Sequence, residues 1–306
     1  MIQVEALQKL YPGDRGLRSF DLHVAPGELV GLVGPNGAGK TTLIKILATL
    51  LAPDSGVAMV NHLDLVHDKR AVRKLVGHMP DVPGVYQDMK VREFLRFFAD
   101  AYHLPAHRRN AAVDEILEWS GLADRADAFV EHLSLGWKQR LVLAKTLLHG
   151  PALLLLDEPA TGLDPLARLE LRRQLKELHR RGVTILVSSH ILSDLEDVCT
   201  RIVFIADGKN MGQAQPQTAG AAGDPRPVVY EIEFLPSAQA QEIARGVGGV
   251  QVLASSEGSL RISVLGGREQ IAQVVKALAG AGVGVFKVQP ASALESQYQQ
   301  MFGGQQ

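Results

Sequence analysis

The chain has 306 residues, of which 46% are hydrophobic and 21% charged, too long for one ordinary domain and too apolar to be disordered, so one large and one smaller folded unit are expected. Lys and Arg number 32 against 33 acidic residues, which excludes a global field that would draw in nucleic acid or anionic lipid, and nucleic acid is not an expected partner. The single cysteine, Cys199, excludes a disulfide framework and a multi-thiolate metal site and fits the cytosol, while no stretch approaches the roughly 18 uninterrupted apolar residues of a membrane span and residues 1–9 lack a secretion signal.

In chain order, the apolar run 30–33 breaks into a glycine-rich turn, and residues 42–51 read as a helix that stops before Pro53. Between 91 and 122, Phe94, Phe97, Phe98 and Tyr102, then Ile116, Leu117 and Trp119, recur at helical spacing. They predict two helices of an all-helical insert spanning about residues 85–150. A helix over 137–149, a strand over 152–157, a helix over 166–180 and strands over 183–188 and 201–205 follow. Apolar strands alternating with helices argue for a parallel sheet covered on both faces, an α/β core.

From 208 to 227 the composition shifts to Gly, Ala, Gln and Pro with little periodicity, which reads as a linker. The expected division is a first domain over 1–210, a linker over 211–227 and an accessory domain over 228–306. In the last of these, a strand over 228–234, a helix over 238–246, strands over 250–254 and 260–265, a helix over 269–279 and a strand over 283–288 give the β-α-β-β-α-β order of a small ferredoxin-like α+β domain. A closing helix is expected over 293–301, before a Gly/Gln tail that frays.

Chemistry concentrates in Gly34-Pro35-Asn36-Gly37-Ala38-Gly39-Lys40-Thr41-Thr42. Phosphate oxygens need several donors converging on a small anionic volume, and glycine lets backbone N–H groups approach without a Cβ in the way. The following helix adds its N-terminal dipole, Lys40 reaches the β and γ phosphates, and the Thr41 hydroxyl can ligate Mg²⁺. This is a P-loop that takes ATP with Mg²⁺. Leu153 to Leu156 then run into Asp157 and Glu158, so a buried strand delivers two carboxylates to the sheet edge where ligands sit in such folds. Asp157 would hold Mg²⁺ through its water shell, and Glu158 would orient or deprotonate the attacking water.

These segments, followed by Leu133-Ser134-Leu135-Gly136-Trp137-Lys138-Gln139-Arg140, Gly162-Leu163-Asp164-Pro165 and His190, resemble an ABC-transporter nucleotide-binding subunit over about two thirds of the chain. The resemblance implies a P-loop NTPase fold with a helical subdomain. It also implies a homodimer or paired cassette that sandwiches two ATP molecules, each between one copy's P-loop and the other's Ser-Gly signature. Dimer closure would drive a separate transmembrane permease, with the chain peripheral on the inner face of the cell membrane. Leu133, Ser134 and Gly136 match the family's usual Leu-Ser-Gly-Gly-Gln, while Leu135 and Trp137 depart from it. Read without the family, Ser134 is a helix N-cap.

By the same resemblance His190 contacts the γ-phosphate and positions Glu158. Asp164 makes a dimer contact, and it can equally cap the helix that Pro165 begins. Asp81 stands where most relatives carry glutamine and is read either as a Mg²⁺ or water ligand or as a turn residue. Tyr11 lies where the family stacks an aromatic ring on adenine, with plain packing as its alternative. The tail resembles the extra C-terminal domain of drug, antibiotic and polysaccharide exporters, its Ser292-Ala293-Leu294-Glu295 loosely matching a Ser-Leu-Glu element. The expected function is ATP hydrolysis driving export. The alternative is a soluble ABC-type ATPase or regulatory nucleotide-binding cassette not coupled to transport.

Overall fold

The computed structural model describes residues 1–13, 15–216, 228–237, 239–265, 267–290 and 294. The chain divides into two compact units, Met1–Pro216 and Gln217–Gln306.

The first unit opens with β1 (Ile2–Tyr11) and β2 (Arg15–Val24), then β3 (Leu29–Val33), α1 (Lys40–Leu47), β4 (Ser55–Val60), β5 (Leu63–Asp64), α2 (Lys69–Leu75) and β6 (Val76–Met79). The helices α3 (Val91–Ala101), α4 (Ala106–Ser120) and α5 (Leu135–Leu147) lead to β7 (Leu153–Leu156), α6 (Pro165–Arg180), β8 (Thr184–Ser189), β9 (Arg201–Ala206) and β10 (Lys209–Ala214). A six-stranded sheet runs β10-β9-β3-β8-β7-β6, and a four-stranded antiparallel sheet runs β2-β1-β4-β5. In the larger sheet every pairing is parallel except that of the edge strand β10.

The helix α1 explains why the two sheets stack. Leu43, Ile44, Ile46 and Leu47 are all fully buried, sharing one core with Val4, Leu7 and Phe20 of the small sheet and Leu153, Leu155, Leu186 and Val203 of the large one. An apolar stripe that wraps so far around a helix needs cover on more than one side. Buried on both faces, β7 is a continuous leucine run rather than an alternating pattern. Phe94, Leu95, Val113, Leu117, Leu133, Leu141 and Ala144 form a second core inside the helical insert.

Several boundaries differ from expectation. The α1 helix starts at Lys40, so the Lys and Thr side chains of the loop spring from its first turn, and α5 starts at Leu135 rather than Trp137. A linker beginning at 211 is corrected by β10, which pairs antiparallel with β9 around Asp207 and Gly208, both at positive φ (47° and 75°). Such a tight turn needs few apolar residues, and a solvent-facing edge strand shows little hydrophobic periodicity.

In the second unit, β11 (Val228–Phe234), α7 (Ala240–Arg245), β12 (Val250–Ser255), β13 (Ser259–Val264), α8 (Gly267–Gly280) and β14 (Val285–Pro290) appear in the expected β-α-β-β-α-β order. Its sheet runs β12-β13-β11-β14 with every neighbour antiparallel. Tyr230, Ile232, Phe234, Leu260, Ile262 and Val264 alternate onto the face that packs on Ala240, Ala244, Val274 and Leu278. The helix expected over 293–301 lies outside the described residues apart from Leu294.

Candidate active site

Strand β3 delivers residues 34–39 to the C-terminal edge of the parallel strands. A side chain at Gly34 would collide with the carbonyl oxygen of Ile205 on β9, so that position admits only glycine. Lys40, only 5% exposed, folds under the loop: its Nζ donates to the carbonyls of Gly34 at 2.8 Å and Pro35 at 3.2 Å and lies 3.2 Å from Glu158 Oε1.

Asp157, 1% exposed, ends the leucine strand. Burial raises its pKa, with the charges of Asp81 and Glu158 adding to the effect, against hydrogen bonds from the hydroxyls of Ser188 and Thr41. The pocket thus accumulates negative charge beside a threonine hydroxyl, which suits a cation. Among the described residues no three or more His, Cys, Asp or Glu side chains form an all-protein metal cage. Mg²⁺ binds through one or two carboxylates plus substrate phosphates, and the Thr41 and Asp157 pair fits that incomplete set.

Glu158 sits at φ 48°, a left-handed conformation costly for a non-glycine residue. Its backbone N–H donates to Ser188 Oγ at 2.9 Å, and that hydroxyl donates to Asp157 Oδ1 at 2.8 Å. One fully buried serine on β8 therefore holds both acids in register, a role that sequence reading missed. Its signal was a serine directly after the apolar run 185–187. On the side chain, Oε2 lies 2.7 Å from His190 Nδ1 and accepts the His190 backbone N–H at 3.3 Å. Burial is the largest influence and pushes the Glu158 pKa up, but the His190 hydrogen bond and the Lys40 charge together outweigh it and leave it below its ordinary value. The carboxylate is an anion held between the Lys40 ammonium and the His190 ring at the mouth of the loop.

The remaining candidates are placed as follows. Asp81 is exposed in a bend, where its Oδ1 accepts the Val82 N–H at 2.8 Å, while its charge is felt by Asp157. Tyr11 ends β1 with its ring 40% exposed. Asp164 is the N-cap of α6, accepting the Ala167 N–H at 2.8 Å, with Pro165 at the first helical position.

Ser134 is the N-cap residue of α5, yet its exposed side chain makes no capping hydrogen bond. The N–H groups of the first turn have no partner within the helix. Together with Gly136 in that turn, Ser134 presents a hydroxyl and a positive dipole end to its surroundings. The Trp137 ring packs on the helical core, with the guanidinium groups of Arg125 and Arg140 each over it at 4.5 Å from the ring centroid. Leu135 sits against Gly162, its Cδ2 2.9 Å from where a Cβ there would stand, tying the start of α5 to the loop before Asp164. Cys199 is buried against Gly31, and burial pushes its thiol pKa up.

Comparisons with known proteins place the chain in a family. The ABC transporter family model matches residues 17–161. The daunorubicin resistance ATP-binding protein DrrA3 of Streptomyces coeruleorubidus is 35% identical over 285 residues, covering 92% of this chain and 89% of that protein. Nod factor export ATP-binding protein I of Burkholderia pseudomallei is 37% identical over 252 residues, covering 79% and 83%. A solved ATP-binding subunit of an ABC transporter superposes with a TM-score of 0.63 at 32% identity, over 70% of this chain and 90% of that one. A buried lysine under a phosphate loop, a carboxylate pair locked by one serine and a histidine on the second acid thus stand in a chain whose relatives align with most of its length at about a third identity: the chain belongs to the ABC-transporter family, as one of its ATP-binding, ATP-hydrolysing subunits.

Proposed function

We propose that two copies of this chain close head to tail over two ATP molecules, and that closure drives a separate membrane-spanning permease in the direction of export. The observation that carries the reading is the Glu158 carboxylate, held 3.2 Å from Lys40 and 2.7 Å from His190 at the mouth of the phosphate loop. An ionised carboxylate so placed can align a water for in-line attack on a γ-phosphate and accept its proton.

Residues 34–42 cradle the phosphates, with Lys40 on their β and γ oxygens. When bound, Mg²⁺ would supply neutralising charge to those oxygens, and Thr41 and Asp157 would hold it, with Asp81 as a further carboxylate toward the cation. His190 keeps Glu158 oriented, and Tyr11 offers its exposed face to the base. Ser134 and Gly136 serve the γ-phosphate of the other copy, and Asp164 lies in the loop that meets it. Among the described residues no helix is long and apolar enough to cross a membrane, so on this reading the transport path belongs to a permease and the chain works on the cytoplasmic face. Export is supported by the relatives' names, Nod factor export and daunorubicin resistance, and by the second unit that follows the cassette.

The Glu158→Gln protein should double in mass on gel filtration when Mg²⁺ and ATP are added, because binding survives while the base is lost; a monomer under saturating ATP contradicts closure. Detergent copurification from the native membrane should bring down a polypeptide with membrane spans. A partner without spans contradicts the transport role.

A further inference from the structure

Three glycines far apart in sequence meet backbone to backbone at the foot of the phosphate loop: Gly16 on β2, Gly39 in the loop and Gly208 in the β9–β10 turn, with φ of 120°, 109° and 75°. A Cβ on Gly39 would stand 3.0 Å from the Gly16 carbonyl oxygen and 2.9 Å from Leu17 Cδ2. One on Gly208 would run into the same Gly16 oxygen. The Gly208 N–H donates to the Ala38 carbonyl at 3.0 Å, and its carbonyl accepts the Arg18 N–H at 2.8 Å. A single residue of the β9–β10 turn therefore bridges the phosphate loop to β2.

Gly16 has a second neighbour. A Cβ there would lie 3.3 Å from Tyr11 Cδ2 and would collide with the Lys9 carbonyl, so the Tyr11 ring rests along the same junction. Tyr11 and Arg15 are paired at the tip of the β1–β2 hairpin. The path from phosphate loop to Tyr11 is thus Ala38, Gly208, the Gly16–Arg18 segment and the ring, with no flexible side chain between.

We infer that the Gly16–Gly39–Gly208 junction is a positioning device that fixes the Tyr11 ring relative to the phosphate loop, so that base and triphosphate of one ATP are gripped as a rigid pair. The inference rests on the proposed stacking of the base on Tyr11. Two linked binding elements reinforce each other only as far as their separation matches the ligand, and a preset separation avoids an ordering cost on binding. Backbone packed on backbone sets that separation more firmly than side chains can, because no rotamer adjusts it.

The test compares affinities for ATP and for inorganic tripolyphosphate in the full chain, for the wild type, Tyr11→Ala, Gly208→Ala and Gly182→Ala. Gly182 is the control: its φ is 84°, but a Cβ there meets nothing within 4 Å, so it carries the backbone strain without the junction. Gly208→Ala should reduce the preference for ATP over tripolyphosphate by about tenfold, the size of one base–aromatic stack, and Gly182→Ala should leave it unchanged. Adding Tyr11→Ala to Gly208→Ala should bring no further loss of preference, since the two changes remove one coupled grip. If Gly208→Ala does not fold, Leu17→Val withdraws the methyl group under Gly39 and should shift the preference in the same direction by less. A preference that falls in Tyr11→Ala but persists in Gly208→Ala or Leu17→Val overturns the junction while leaving the stacking intact; a preference that persists in Tyr11→Ala overturns the stacking itself.

Discussion

The phosphate-loop end and the α5 end of the site are built on opposite plans. At the loop, every reactive side chain is committed within the chain: Lys40 to two carbonyls and Glu158, Asp157 to Ser188, Glu158 to His190. At α5, Ser134 stands exposed at a helix N-terminus and caps nothing. Asp164 occupies the same N-cap position on α6 and does cap its helix. An end satisfied by its own chain is preorganised for chemistry, whereas an end left open takes its partner from outside. On the proposed function, that contrast is how a site shared between two copies would look in one of them.

The largest break in the contrast comes from the committed end. Glu158→Gln should lower turnover by about 10²–10⁴, the range of a lost general base, with ATP affinity retained; unchanged ATPase rates would remove Glu158 from the reaction. Lys40→Ala should weaken ATP binding itself by about a hundredfold, the scale of a charged hydrogen bond, and equal affinity by calorimetry would contradict its role under the loop.

The seam between the two ends carries a pH signature. His78 on β6 has its pKa lowered from 6.5 to about 4, first by burial and then by the charges of Lys145, on α5, and Lys45. Its folded pKa lies below its unfolded one, so the unfolded chain gains the proton first as pH falls. Stability should therefore drop by about 2–3 kcal/mol between pH 6.5 and pH 4. His78→Phe should lose that component in denaturant titrations; an identical pH slope in the variant would place the burial of His78 in error.

The smallest effects sharpen the contrast most. Asp164→Ala should cost about 1 kcal/mol of stability through its lost cap. Ser134→Ala should leave melting unchanged within a few tenths of a kcal/mol, as expected of a surface side chain with no partner, yet lower turnover. If Ser134→Ala destabilises the chain as much as Asp164→Ala, the serine is an ordinary helix cap.

Much of the committed end was legible in the sequence because its signals are local. Glycine spacing, a lysine at a helix start and four leucines before two acids each state their geometry within a few residues. The antiparallel sheet was not legible: β1 buries Ile2, Val4 and Leu7, but register shifts between Val4 and Leu7 and between Leu7 and Lys9 break the two-residue period. Ser188 was passed over because its work depends on β7 lying beside β8, a pairing of residues some 30 positions apart. Trp137 looked like a departure from the signature, and only the fold shows its ring packed on the helical core under Arg125 and Arg140.

The most direct measurement mixes two impaired proteins, Lys40→Ala and Ser134→Ala, and subtracts the residual turnover of each parent. If each site draws its loop from one copy and its serine from the other, half of the dimers are mixed and each carries one intact site, so turnover should return to about a quarter of wild type. A mixture as inactive as its parents would contradict the shared site.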